Sequence, residues 1–325
     1  MNTGIPRALI ALVAGFSLLA AACGSDGDSG SAPADSASTD DGTEATSPAT
    51  TPATEVTPDS SGVNSTPERI VSLSPTHTEI LFAIGAGDRL VAVDEFSDYP
   101  AEALELPNEL SGFEPNVEAI AAYDPDLVII GGDFTGLGDQ LDAIGIAWWD
   151  GPAAATLDDT YTQIEQLGAA TGQVAEAAEL VAQMQSDIDA IVAETVVPDE
   201  PLSLYHELDP TYFSADSTTV IGEVYSLLGL RNIADGAEGE SFGFPQLNAE
   251  FIVSADPDLI FLADTKCCAE TADTVAARDG WGGIAAVVNG NVIEMDDDIA
   301  SRWGPRVVEY LAAVSAAVEQ ALVPA

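Results

Sequence analysis

The chain holds 325 residues, with eight Lys and Arg against 55 Asp and Glu, a formal net charge of −47, and 46% apolar residues. That length exceeds the comfortable size of one small core and predicts two lobes. So acidic a chain repels phosphate backbones, which argues against nucleic acid as a partner; the acidity itself fits a saline habitat, a need for solubility or a basic docking partner.

The first 67 residues belong to neither lobe. Residues 1–7 include one cation, Arg7, and residues 8–19 form an apolar run too short to span a bilayer comfortably. "LAAAC" then ends at Cys23. The pattern resembles a bacterial lipoprotein signal, which implies cleavage before Cys23 and lipidation of its thiol. Ala20 stands where Leu is commoner in such signals, and an ordinary secretory signal or a retained anchor is the alternative. Each of these exports the chain. Residues 24–67 contain eight acidic residues, no basic ones and no aromatics. Such a segment cannot bury enough apolar surface to offset its ordering entropy, so it reads as a disordered tether with a reach of roughly 35 Å.

From residue 68 the pattern changes to strands alternating with helices. A strand is predicted at 70–73 and a helix from Thr76, whose spacing to Glu79 matches a capping box, ending at Gly85 and Gly87. A strand follows at 90–93, then a helix opened by Pro115 and Asn116, a turn at Asp124 and Pro125, and strands at 127–130 and 146–149, the latter after a further helix. Short alternating units of this kind indicate a parallel sheet covered on both faces. Residues 68–155 are the expected N-terminal α/β lobe.

Residues 156–197 are helix formers without a strand, interrupted at Thr171 and Gly172. The second piece, 173–194, would reach about 33 Å at 1.5 Å per residue, enough to run between lobes. Residues 198–325 then resume the alternation, with strands at 202–206, 259–262 and 291–295 and helices at 220–228, 249–254 and 305–322. One phrase occurs in both halves: "EAIAAYDPDLVII" from Glu118 and "EFIVSADPDLIFL" from Glu250 share Glu, Ile, Asp, Pro, Asp and Leu at matching places. The same helix-turn-strand unit is therefore expected once in each lobe.

"RIVSLSPTHTEILFAIGAGDRLVAVDEFSDYP", "PNVEAIAAYDPDLVII", "FPQLNAEFIVSADPDLIFL" and "VNGNVIEMDDDIASRWGPR" resemble the iron-siderophore and vitamin B12 substrate-binding proteins of bacterial ABC importers. The likeness runs from Glu68 to the C-terminus. It implies two Rossmann-like lobes joined by a single long interdomain helix, the class III periplasmic binding protein arrangement, with the ligand in the cleft between them. It further implies a monomeric receptor on the outer face of the cytoplasmic membrane or in the periplasm. Such a receptor captures an Fe(III)-siderophore or a corrinoid such as cobalamin, and delivers it to a permease driven by a separate ATPase. Membrane contact would come through the lipid anchor only, and no cofactor is expected. Motif position assigns Glu118 and Glu250 to docking on permease arginines. The plainer reading is that both favour the first turn of their helices through the macrodipole.

Ligands of open α/β sheets sit beyond the carboxyl ends of strands. In the first lobe the loops there contain Ser74, Thr76, His77, Phe96, Tyr99 and Phe134; in the second, His206, Tyr212, Phe213, Phe244, Lys266, Arg302 and Trp303. The aromatic members would supply stacking surface for a bulky ligand. Arg302 would grip a ligand oxygen or pair with Asp296, Asp297 or Asp298, and Lys266 is a weaker version of the same idea. His77 and His206 are the only histidines. They are expected as polar cleft residues; holding haem or a free divalent metal directly is the alternative, although no clustered ligand spacing supports a metal site. Cys267 and Cys268 are adjacent in an exported chain, so an internal bond between them must be vicinal; free thiols or soft-metal ligands are the alternatives. For an enzyme, the sequence lacks a Gly-rich phosphate loop, a G-x-S-x-G elbow and a close His/carboxylate/nucleophile set. The expectation is a binding protein.

Overall fold

The computed structural model describes residues 66–237 and 241–323. The expected signal segment, Cys23 and the tether up to residue 65 lie outside the described residues. Two four-stranded parallel sheets form the framework. The first contains β1 (Ile70–Leu73), β2 (Leu90–Val93), β3 (Leu127–Ile130) and β4 (Ala147–Asp150) in the order β2-β1-β3-β4. The second contains β5 (Ser203–Glu207), β6 (Arg231–Asn232), β7 (Leu259–Leu262) and β8 (Val292–Glu294) in the order β6-β5-β7-β8. Both are the same plan. The central strands are buried along their whole length, "LVII" in β3 and "LIFL" in β7, which is why they read as continuous apolar runs rather than alternating ones.

Among the described residues twelve α-helices accompany these sheets. Beside the first lie α1 (Pro75–Ala83), α2 (Val117–Ala121) and α3 (Leu137–Ile144); α4 (Leu157–Thr171) and α5 (Val174–Glu194) follow. The second half contributes α6 (Val220–Leu227), α7 (Ala249–Ala255), α8 (Thr265–Cys268), α9 (Ala272–Ala276), α10 (Ala285–Asn289), α11 (Asp297–Ser301) and α12 (Val307–Ala321). The capping box expected at Thr76 is absent. Ser74 is the N-cap of α1, without a side-chain bond, and Pro75 takes the first helical position, where its missing N–H costs nothing. Glu79 is thereby released for another role.

The repeated phrase is one structural device used twice. Asn116 Oδ1 accepts from Glu118 N and Ala119 N at the start of α2, and Asn248 Oδ1 accepts from Phe251 N at the start of α7. The first Asp of each Asp-Pro-Asp takes a left-handed conformation, φ 50° at Asp124 and 49° at Asp256, where a short polar side chain is tolerated and the helix stops. The second Asp ties the sheet together. Asp126 accepts from Glu68 N and Arg69 N, and Asp258 accepts from Ser203 N and Ser203 Oγ, each fixing the entry to the neighbouring strand.

Helix α5 is the link. Its 21 residues extend about 31 Å. Near its start Gln173 Nε2 donates to Ile84 O beside the first sheet, and just past its end Thr195 Oγ1 shares a hydrogen bond with Ser315 Oγ on α12 of the second. Ala177, Val181, Met184 and Ile188 form a buried stripe at spacings of four and three. That stripe belongs to one continuous core that includes Ile70 and Ile129 of the first sheet and Leu204 and Phe261 of the second. The two-lobe α/β plan with one long connecting helix is borne out. Among the described residues no helix is long and apolar enough to cross a membrane.

Candidate functional site

The carboxyl edges of the two sheets face each other, and the segment after β8 makes the contact. Asp296 N-caps α11, Asp297 accepts from Thr265 N, Lys266 N and Cys267 N at the start of α8, and Asp298 receives Lys266 and Arg302. Each member of the "DDD" run therefore has a structural task. Lys266 Nζ lies 2.7 Å from Asp296 and 2.6 Å from Asp298, so this half-exposed ammonium is paired with two neighbouring carboxylates.

Arg302 reaches across the lobes. One terminal nitrogen donates to Glu79 Oε1 at 2.7 Å and Asp98 Oδ1 at 2.9 Å, and the other to Phe96 O at 3.0 Å and Asp298 Oδ1 at 2.6 Å. Of the acids expected as its internal partners it takes Asp298 alone, and the other two carboxylates come from the opposite half of the chain. Its side chain is only 9% exposed and that of Glu79 only 2%. Arg306 adds a second approach to Glu79 Oε1 at 3.3 Å and lies over the Tyr99 ring, 4.2 Å from its centroid. Burial raises the Glu79 pKa, against the pull of Arg302 and Arg306. This is an ionic latch between lobes.

Next to it Trp303 Nε1 donates to Gln163 Oε1 at 3.1 Å, and the same oxygen accepts from His77 Nε2 at 3.0 Å. The His77 ring meets the edges of Trp149 and Trp303 at centroid distances of 5.0 and 6.1 Å. His77 is fully buried, and burial depresses its pKa to about 4. His206 is also fully buried, hydrogen-bonded through Nδ1 to Tyr225 Oη, and depressed to about 3 by the same cause. Both histidines, expected as polar groups of the cleft, are buried: His77 packs between Trp149 of the first half and Trp303 of the second, and His206 packs against Tyr225. Among the described residues no group of three or more His, Cys, Asp or Glu side chains is arranged to hold a metal. Ser74 and Thr76 are likewise buried.

The aromatic expectation divides. Phe96, Tyr99, Phe134, Phe213 and Phe244 are exposed, as are Phe242 of the same loop as Phe244 and Phe113, which sequence reasoning missed; across this set exposure runs from 37% at Phe213 to 95% at Phe242. Phe113 stands edge-on to Phe96 at 5.8 Å. Tyr212 differs, because its ring stacks on buried Trp281 and under the Arg278 guanidinium, forming a wall rather than an open face. Arg278 in turn grips fully buried Glu207 with both terminal nitrogens. Beside this pair Asp264 is wholly buried, and neither of its carboxylate oxygens has a hydrogen-bond partner. Its pKa is pushed up to about 7 by burial and then by the charges of Glu207 and Glu270. Burial likewise pushes Asp94, beyond β2, to about 6.

Cys267 and Cys268 occupy α8 with their sulfurs joined. A cavity of about 530 Å³ between Tyr99, Phe82, Arg306 and Glu309 draws on both lobes, but the exposed Phe134, Phe213, Phe242 and Phe244 lie outside its lining. Of the expected ligand-binding set, it contains Tyr99 alone. Glu118 and Glu250 are both exposed, each the second residue of its short helix.

Residues 70–299 match the family described as periplasmic binding protein. The chain is 32% identical over 257 residues to the uncharacterized ABC transporter substrate-binding lipoprotein YvrC of Bacillus subtilis, covering 76% of this chain and 78% of that one. It is 31% identical over 269 residues to a cobalamin-binding protein of Halobacterium salinarum, covering 78% and 71%. The crystal structure of the periplasmic vitamin B12 binding protein BtuF of Vibrio cholerae superposes with a TM-score of 0.65 at 28% identity, covering 80% of this chain and 99% of that one. Two like-ordered parallel sheets, a connecting helix and facing carboxyl edges agree with that likeness, and the chain belongs to the periplasmic binding protein family, a family of solute-binding proteins.

Proposed function

We propose that the protein is the substrate-binding lipoprotein of an ABC importer, anchored through Cys23 outside the cytoplasmic membrane, and that it carries a corrinoid between its lobes as a monomer. The observation that carries this is the set of exposed aromatic rings on the facing carboxyl edges, Phe96, Phe113 and Phe134 on one and Phe213, Phe242 and Phe244 on the other. A ligand with broad apolar faces and amide-bearing edges would cover them. Support for a corrinoid over other chelates comes from the 31% identity with a cobalamin-binding protein over most of both chains. Thermal-shift and calorimetric titration of the full chain with cobalamin, cobinamide, ferric hydroxamates and haem tests this. A corrinoid should raise the melting temperature most, since a ligand that binds only the folded state stabilises it in proportion to affinity. No shift with any corrinoid would reject the ligand assignment.

Docking on the permease is assigned to Glu118 and Glu250. Both carboxylates are exposed and occupy equivalent places in the repeated unit, one per lobe. A charge-assisted contact to Arg contributes about 1.5–3 kcal/mol, so losing both weakens docking by roughly a hundredfold to ten-thousandfold. The double variant Glu118→Lys/Glu250→Lys should lose uptake while its ligand affinity stays unchanged. Undiminished uptake would remove the docking role and leave only helix-end electrostatics.

A further inference from the structure

The cations of this chain are distributed in a way that restricts its cargo. Among the described residues, Arg69, Arg89 and Arg231 lie at the amino ends of β1, β2 and β6, away from the edges that face each other. Arg69 and Arg89 are occupied there by backbone carbonyls, of Tyr123 and Asp124 and of Thr171 respectively. The four remaining cations, Lys266, Arg278, Arg302 and Arg306, belong to the facing edges, and every one is shared by at least two carboxylates. No cation is left over at those edges among the described residues.

The carboxylates are in excess. Asp94, Glu95 and Asp264 follow the carboxyl ends of β2 and β7, and Asp150 closes β4, all without an ion-pair partner among the described residues. Asp264 is an independent pointer. A buried carboxylate whose two oxygens lack a hydrogen-bond partner is satisfied by taking up a proton, or by a donor or positive charge brought to it, and an anion brought to it does neither. The positive ends of nearby helices do not reverse the balance, because Asp133 already accepts from Leu137 N and Gly138 N at α3, and a helix terminus amounts to about half a charge.

We propose, building on the importer reading above, that the cleft sorts its cargo by charge: it accepts a complex bearing a positive group most readily, a neutral one next, and rejects an anionic one. Anionic ferric chelates and propionate-bearing tetrapyrroles fall in the rejected class. A low-dielectric groove whose carboxylates outnumber its cations focuses a net negative field on whatever enters, so a single charge on the ligand is felt by many side chains at once.

The test uses the full chain and ligands that differ only in a pendant group. Cyanocobalamin is compared with its derivative carrying one propionamide hydrolysed to a carboxylate, and with the same carboxylate coupled to ethylenediamine so that an ammonium is presented instead. Calorimetry at about 20 mM salt should rank the ammonium form tightest and the carboxylate form weakest, with at least a tenfold spread, collapsing below threefold at about 500 mM salt as screening shortens the range of the field. Glu95→Lys, at an exposed position, should narrow the low-salt spread at least threefold. Equal affinity for the ammonium and carboxylate forms, or a spread indifferent to salt, overturns the proposal. Should ferrioxamine B, with its pendant ammonium, bind while no corrinoid does, the corrinoid reading falls separately. Its N-succinyl derivative then decides the charge rule: at least tenfold weaker binding upholds it and equal binding refutes it.

Discussion

Replacing Arg302 by Met should release the latch between the lobes, and the structure sets the size of the effect. The guanidinium donates to Glu79 Oε1, which is almost wholly buried, and to the half-exposed Asp98, as well as to Phe96 O and Asp298. Stripping the partner from a buried ion typically costs about 3–5 kcal/mol. Here Arg306 still reaches Glu79 Oε1 at 3.3 Å, and the Asp98 leg is screened by water, so about 2–3 kcal/mol is the appropriate figure. For a folded unit of this size that lowers the melting temperature by about 4–6 °C. The cost should also depend on pH with a definite sign. Burial already raises the Glu79 pKa, and removing Arg302 raises it further. A carboxyl with a raised folded-state pKa binds its proton more tightly folded than unfolded, so it loses stability as pH rises from the unfolded to the folded value. The variant should therefore melt further below the parent protein at pH 8 than at pH 5. In the double variant Glu79→Gln/Arg302→Met no buried charge is stranded, and more than half of the loss should return. Scanning calorimetry of the parent, Glu79→Gln, Arg302→Met and the double variant at both pH values measures this directly. A loss under 2 °C at pH 8, or a double variant no better than Arg302→Met, would refute the latch.

Two further outcomes follow from the same geometry. His77 and His206 are depressed by burial to about 4 and 3, so each contributes stability that is complete above the unfolded value near 6.5 and is lost as pH falls from there toward the folded value; His206→Gln should show a shallower fall in urea midpoint between pH 7 and 5 than the parent, while a parallel fall would place His206 in water. Asn116→Ala and Asn248→Ala each remove the side-chain cap of a short helix and should each cost about 1 kcal/mol in urea unfolding; a loss below a few tenths at both would mean the caps are not formed.

The architecture was legible because the signals that specify it are local. Continuous apolar runs bounded by Asp-Pro-Asp named β3 and β7, Asn116 named the start of α2, and the break at Thr171 and Gly172 divided α4 from α5, where Gly172 adopts φ 74°. The site was less legible, because its determinants are separated by more than two hundred residues. Glu79 looked like the far end of a capping box, and only the fold reveals Arg302 beside it, 223 positions away. Arg302 looked like a ligand clamp or the partner of an adjacent Asp, because sequence shows near neighbours first. Gln163 carried no signal at all as a lone polar residue in a helix, yet it joins His77 to Trp303. Phe113 had no motif around it to single it out, although it is exposed like the aromatic residues of the other loops.

On the proposed function, how a bulky ligand would enter follows from what would have to break. The core is continuous from Ile70 of the first sheet through the buried stripe of α5 to Phe261 of the second, so a wide rotation of the lobes would expose apolar surface at about 25 cal/mol per Å². A few hundred Å² so exposed costs several kcal/mol, more than the latch itself. The latch, by contrast, is surface-adjacent, and Asp98 lies half in water. Opening is therefore cheapest at Arg302 and the loops that carry Phe96, Phe134, Phe242 and Phe244, with α5 held rigid. A ligand that shields those rings recovers apolar burial without disturbing the core, and it needs only to loosen Arg302 from Asp98 while Glu79 keeps Arg306 as its second partner. Small motions at the edges, driven by burial of exposed rings, are the mode of capture this packing permits.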